Sequence, residues 1–133
     1  NRLVGIRVRT LSKEDAALYG KYRPAYLCRK LYNHPLSFTL YGLNLAKDNI
    51  AKIGKVIVFE GEKSVLQYAT YFGMENCIAV ATCGSSLTSY QVKLLKEAGA
   101  KEIIIAFDKA GEKDDKTKYV KKFYDFRKKI KTV

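Results

Sequence analysis

From Lys55 onward the chain alternates short apolar runs with stretches of helical period. The runs are Lys55-Val56-Ile57-Val58-Phe59, Ile78-Ala79-Val80-Ala81-Thr82 and Ile103-Ile104-Ile105-Ala106-Phe107. Near-continuous apolar segments of this length read as strands buried on both faces of a parallel sheet. Between the first two, a helix is predicted from about Ser64 to Phe72, closed by Gly73. Before the third, Thr88 and Gln91 have capping-box spacing, Leu87 and Val92 can form a hydrophobic staple, and Gly99 ends the helix. A last helix spans about Asp115 to Lys131. Tyr119, Val120, Phe123, Tyr124, Phe126 and Ile130 form one broad face, and most of the lysines lie outside it. The order β-α-β-α-β-α predicts an α/β fold with right-handed crossovers. A further strand is expected after Val133, so this part is read as truncated at its C-terminus.

The first third is patterned differently. Leu3 to Thr10 alternates apolar with basic residues and predicts a half-buried strand with Arg7 and Arg9 outward. Lys21-Tyr22-Arg23-Pro24-Ala25-Tyr26-Leu27 is expected to be extended, because Pro24 disfavours helix at Arg23. Leu40-Tyr41-Gly42-Leu43 leads into a short helix from about Leu45 to Ile53, closed by Gly54. The division expected is a small basic α+β segment, 1–54, followed by an α/β domain, 55–133. With Asn1 at its start, the chain is expected to be a segment of a longer protein.

Charge sharpens this picture. The 133 residues carry a formal +12. Residues 1–54 hold 10 Lys/Arg against 3 Asp/Glu, and residues 55–133 hold 15 against 10. Such an excess fits a polyanionic partner, since Lys and Arg displace counterions from phosphates. It fits equally a domain with many solvated lysines. No apolar run reaches the roughly 20 residues a bilayer requires, so no membrane role is expected. Three cysteines without Cys-x-x-Cys spacing point to a reduced, cytoplasmic setting. His34 has no ligand partner at a spacing that would hold zinc.

The chemistry is expected at the strand ends. The first apolar run passes into Glu60-Gly61-Glu62 and the third into Asp108-Lys109-Ala110-Gly111. Ligands of open α/β sheets bind beyond the carboxyl ends of the strands. Glu60 and Asp108 therefore face one crevice in this reading, and their hard oxygens suit Mg²⁺ or Mn²⁺. Gly61 lets backbone turn or approach a phosphate, with an ordinary turn glycine as the alternative. Gly84 and Ser85 lie before a capped helix whose free N–H groups suit an anion.

Val-Phe-Glu-Gly-Glu-Lys-Ser (58–64), Ala-Val-Ala-Thr-Cys-Gly-Ser-Ser-Leu-Thr (79–88) and Ala-Phe-Asp-Lys-Ala-Gly (106–111) resemble the three ordered motifs of the TOPRIM domain, in the form found in bacterial and phage-type DNA primases. Arg2 to Ile6, Lys21-Tyr22 and Leu40 to Leu43 resemble the primase segment leading into that domain, so the resemblance covers nearly the whole chain. It implies a Rossmann-like parallel sheet flanked by helices, a catalytic role as metal ligand or proton acceptor for Glu60, and a catalytic metal-ligand role for Asp108. It also implies that Lys21 holds template or nucleotide, a role Arg23 is expected to share. The family's second Asp after the third strand falls on Ala110, and Ser64 stands where many primases have an Asp. Asp114 and Asp115 are possible replacements or helix caps. A second family lysine falls on Leu36, with Lys30 or Arg29 as stand-ins.

The function implied is metal-dependent joining of ribonucleoside triphosphates on single-stranded DNA during replication, beside a replicative helicase. Two alternatives remain at this stage. One is a TOPRIM topoisomerase or nuclease, for which no tyrosine here has an identifying context. The other is a nucleic-acid-binding module with a degenerate metal site.

Overall fold

The computed structural model of the chain describes residues 2–133; residue 1, where the expected first segment begins, lies outside the described residues. Two compact units are present, 1–35 and 36–133.

The first unit contains β1 (Arg7–Arg9), α1 (Lys13–Tyr19), β2 (Tyr22–Leu27) and β3 (Lys30–Tyr32), with the strands in the antiparallel order β1-β2-β3. The expected strand from Leu3 to Thr10 pairs only at Arg7–Arg9, opposite Pro24, Arg23 and Tyr22. Arg7 and Arg9 both lie over the Tyr22 ring, at 5.5 and 5.9 Å from its centroid, while Val8 is exposed. Ser12 caps α1 by accepting from the Asp15 N–H at 3.2 Å.

The second unit contains α2 (Leu43–Ile53), β4 (Lys55–Phe59), α3 (Glu62–Phe72), β5 (Ala79–Ala81), α4 (Ser89–Glu97), β6 (Glu102–Ala106) and α5 (Lys116–Thr132). Its sheet is parallel, in the order β5-β4-β6. Successive side chains point to opposite faces of a strand, and the core divides accordingly. Val56, Val58, Val80 and Phe107 pack with Ala46 and Ile50 of α2, Val92 and Leu95 of α4 and Phe126 of α5. Ala79 and Ala81 pack with Val65 of α3, joined by Phe59 and Tyr68. Both faces of β4 and β5 are therefore covered, which is why those strands read as unbroken apolar runs, whereas Ile104 of the edge strand β6 is 40% exposed.

Compactness divides the chain at Pro35, not after Gly54. Ala46 and Ile50 are fully buried in the core of the sheet, so the segment 36–54 belongs with it. Gln91 reinforces that attachment. Its buried side-chain amide donates to the Leu36 and Thr39 carbonyls, both at 2.9 Å. The Gln91 Oε1 accepts from the Thr88 N–H at 2.9 Å, which completes the capping box of α4.

Candidate functional site

The register of the sheet sets the site. Phe59, the last residue of β4, pairs with Ala81 at the end of β5 and with Ala106 at the end of β6. All three motif strands therefore finish at one level, and the segments that follow them leave from one edge. Glu60 and Gly61 leave from the middle strand, Thr82 to Ser85 from one neighbour and Phe107-Asp108 from the other. Glu60 is half-buried and Asp108 is exposed.

Gly61 and Gly84 are not required by the fold. Neither has the left-handed backbone that favours glycine, and a Cβ built at either would meet nothing within 4 Å. Gly61, with φ −121° and ψ 155°, simply precedes α3 without a side-chain cap. The turn expected at Gly61 is thus ordinary extended backbone. Both glycines leave bare backbone at the carboxyl edge, open to close approach. Ser85 is exposed in the loop before α4.

That loop is held from beneath by Thr82, a buried residue the sequence reading did not single out. Its N–H donates to the Phe59 carbonyl at 3.1 Å, and its hydroxyl to the Gly84 carbonyl at 2.6 Å. Cys83 carries the strain, with φ at 57° in a residue that is not glycine. Tyr41 is a second residue absent from the expected site. Its backbone bridges Ala81. Burial first, and then the charges of Glu62 and Cys83, hold its phenol above the usual tyrosine range. The motif Leu40 to Leu43 was legible, but nothing in its spacing shows that it lies beside the end of β5.

The third motif loop spends two of its acids, Asp114 and Asp115, on structure. Asp114 accepts from the Gly111 N–H at 2.6 Å. Asp115 caps α5 by accepting from the Thr117 and Lys118 N–H groups at 2.9 and 3.3 Å. The Tyr119 hydroxyl donates to the Asp108 carbonyl at 2.9 Å and holds the loop's start against α5. Ala110 offers no donor. Among the described residues, no three His, Cys, Asp or Glu side chains gather as a metal cluster. What this edge offers a cation is the carboxylates of Glu60, just past β4, and Asp108, two residues past β6. This donor set fits a hard divalent ion that keeps several of its waters.

Lys21 and Arg23 belong to the first unit. Lys21 is exposed just before β2, and its carbonyl accepts from the Thr10 N–H at 3.0 Å. Arg23 lies within β2, its guanidinium 5.4 Å from the Tyr19 ring centroid. No helix among the described residues is long and apolar enough to cross a membrane.

Comparison with known proteins agrees with this architecture. The Toprim domain family matches residues 55–133. The chain is 38% identical over 133 residues to the SPbeta prophage-derived uncharacterized protein YorJ of Bacillus subtilis (strain 168), covering 98% of this chain and 35% of that protein. It is 40% identical over 112 residues to the DNA primase of Helicobacter pylori (strain ATCC 700392 / 26695), covering 83% of this chain and 18% of that enzyme. The RNA polymerase domain of Mycobacterium tuberculosis primase DnaG, in complex with double-stranded DNA, superposes with a TM-score of 0.64 at 26% identity, covering 88% of this chain and 35% of that one. The zinc-binding and RNA polymerase domains of the Aquifex aeolicus primase share the fold, with a TM-score of 0.62 at 21% identity over 98% of this chain and 37% of that one. The chain thus spans about a third of the prophage protein's length and under a fifth of the Helicobacter enzyme's. It belongs to the Toprim domain family, in the form that family takes in bacterial-type DNA primases.

Proposed function

We propose that the chain is part of a primase catalytic core that joins ribonucleotides on a single-stranded DNA template. The observation that carries this reading is the shared level of Ala81, Phe59 and Ala106, which sends three motif segments off one edge of the sheet. Glu60 and Asp108 would hold Mg²⁺ or Mn²⁺. Bound there, the ion supplies positive charge against the charge that builds on the transferred phosphoryl group. Glu60, half-buried, also accepts a proton in this reading. Bare backbone at Gly61 and Gly84 admits triphosphate oxygens, and Ser85 adds a hydroxyl donor beside them. Lys21 and Arg23 draw template or nucleotide phosphates. Single-stranded DNA, ribonucleoside triphosphates and a replicative helicase are the partners of this reading, in the cytoplasm.

The test is a Mn²⁺ titration of the chain followed by electron paramagnetic resonance. Glu60→Gln and Asp108→Asn should each weaken binding markedly, with thermal unfolding unchanged. Wild-type affinity in both variants would exclude a metal site at this edge. A DNA-binding module without catalysis is the second reading, favoured by Ala110. It predicts DNA binding indifferent to Mn²⁺.

A further inference from the structure

Charge in the second unit is segregated. Helix α5 carries eight Lys or Arg residues and a single acid, Asp125, a net +7. Residues 55–115, the rest of the Toprim match, hold 7 Lys/Arg against 9 Asp/Glu and are net negative. Concentrating like charge on one helix costs folding energy, because neighbours at i and i+4 repel. The helix stands because Phe123, Phe126 and Ile130 pack into the core.

The cations of α5 do different things. Lys122 lies over the Phe107, Tyr119 and Phe123 rings, at 5.2 to 5.8 Å from their centroids. Lys129 donates to the Leu87 carbonyl at 3.0 Å and lies over Phe126. These two serve packing. Arg127, Lys128 and Lys131 are exposed, and no carboxylate among the described residues pairs with them. With Tyr124 they occupy positions i, i+3, i+4 and i+7, which is one face of a helix. They line a shallow hollow of about 360 Å³. Tyr124 is 69% exposed, so its ring is open to solvent. Attraction to the helix C-terminus accounts for a basic last turn. It does not account for an exposed aromatic among the cations.

We propose that Tyr124, Arg127, Lys128 and Lys131 form a contact for single-stranded DNA, separate from the acidic edge of the sheet. The three cations grip successive phosphates, and the tyrosine ring stacks on an unpaired base. A duplex keeps its bases stacked on one another, so this pairing of ring and cations selects a single strand. The inference rests on the reading that the chain works on a DNA template, and it assigns part of that grip to α5.

The test measures binding of a fluorescent oligothymidylate to the chain by anisotropy, across a salt series in EDTA. Each phosphate neutralised contributes about 0.7 to the slope of log affinity against log salt for single strands. The double variant Arg127→Gln/Lys131→Gln should therefore flatten the slope by about 1.4. Lys47→Gln/Lys52→Gln, exposed positions on α2 with the same loss of charge, should leave it near wild type. Tyr124→Ala should weaken binding about fivefold or more, whereas Tyr124→Phe keeps the stacking face and the affinity. Equal slopes in the two double variants would overturn the proposal, because α5 would then act only through net charge. So would wild-type affinity in Tyr124→Ala. Absence of any single-strand binding would overturn it together with the template reading. The Mn²⁺ titration stands apart from all of these outcomes, since EDTA removes metal from the DNA experiment.

Discussion

Tyr41 and Ala81 exchange both of their backbone hydrogen bonds, Tyr41 N–H to Ala81 O at 2.8 Å and Ala81 N–H to Tyr41 O at 3.0 Å. This bridge covers the edge of β5 that β4 does not occupy. It also fixes the segment 36–43 against the strand whose end launches Thr82 to Ser85. The loop that bears Gly84 is thus set from two sides, by β4 through Phe59 and by the incoming segment through Tyr41.

Gly42 makes the turn after that bridge possible. Its φ is +82°, and a Cβ there would lie 3.2 Å from Val65 Cγ1 and 3.4 Å from the Ala79 carbonyl oxygen. Gly42→Ala should cost about 1–3 kcal/mol, the usual range for a left-handed non-glycine residue. Urea unfolding reads this directly, and an unchanged midpoint would show that the turn relaxes freely.

Gln91 is the second attachment of the same segment. Leucine fills a similar volume but leaves the Leu36 and Thr39 carbonyls and the Thr88 N–H without their partner. Each group stranded away from water costs about 1–3 kcal/mol. Gln91→Leu should therefore destabilise the fold by about 3 kcal/mol or more in spite of its greater apolarity, again by urea unfolding. A stable Gln91→Leu variant would mean that water replaces the amide.

Most of the second unit was legible because its elements are locally consistent. The strand at Lys55–Phe59 agrees residue for residue, and the capping box of α4 forms as the spacing predicts, with Leu87 and Val92 both buried. The basic helix extends one residue past its expected end. The first unit was less legible. The β2–β3 hairpin turns at Cys28 and Arg29, both with positive φ, where Asn-Gly would have announced such a turn. Helix α1 has seven residues, too few for a helical period to stand out, and its only local signal is the cap spacing of Ser12 to Asp15. At the site, residue types and strand ends could be read from the sequence. The long-range hydrogen bonds of Tyr41 and Gln91 could not, because no local pattern encodes a partner forty or more residues away.

Gly61 and Gly84 separate ligand approach from folding. Serine at 61 can cap α3, since the backbone there is already extended, and should raise stability by a few tenths of a kcal/mol. Alanine at 84 meets no atom and should be neutral or stabilising by up to about 1 kcal/mol. Both variants should nevertheless weaken Mn²⁺-dependent binding of a ribonucleoside triphosphate, because each puts side-chain atoms where phosphate would come closest. Calorimetric titration with unchanged nucleotide affinity would remove these glycines from the site.

Ala110 tests the alignment of the third motif. Asp114 and Asp115 are committed to the Gly111 N–H and to the cap of α5, so neither stands free to replace the carboxylate that position 110 lacks. Mg²⁺ gives up its waters reluctantly, so a site of two carboxylates should bind it weakly. The isolated chain is expected to fold, to bind Mg²⁺ weakly and to make no primers alone. Ala110→Asp adds one ligand and one negative charge two residues from Asp108, and should tighten Mn²⁺ binding about tenfold, which corresponds to about 1.4 kcal/mol. The gain should vanish when Asp108→Asn is added, since the two carboxylates would then no longer share an ion. A titration curve unchanged by Ala110→Asp would mean that position 110 faces away from the ion, and that the third motif of this chain holds its metal through Asp108 alone.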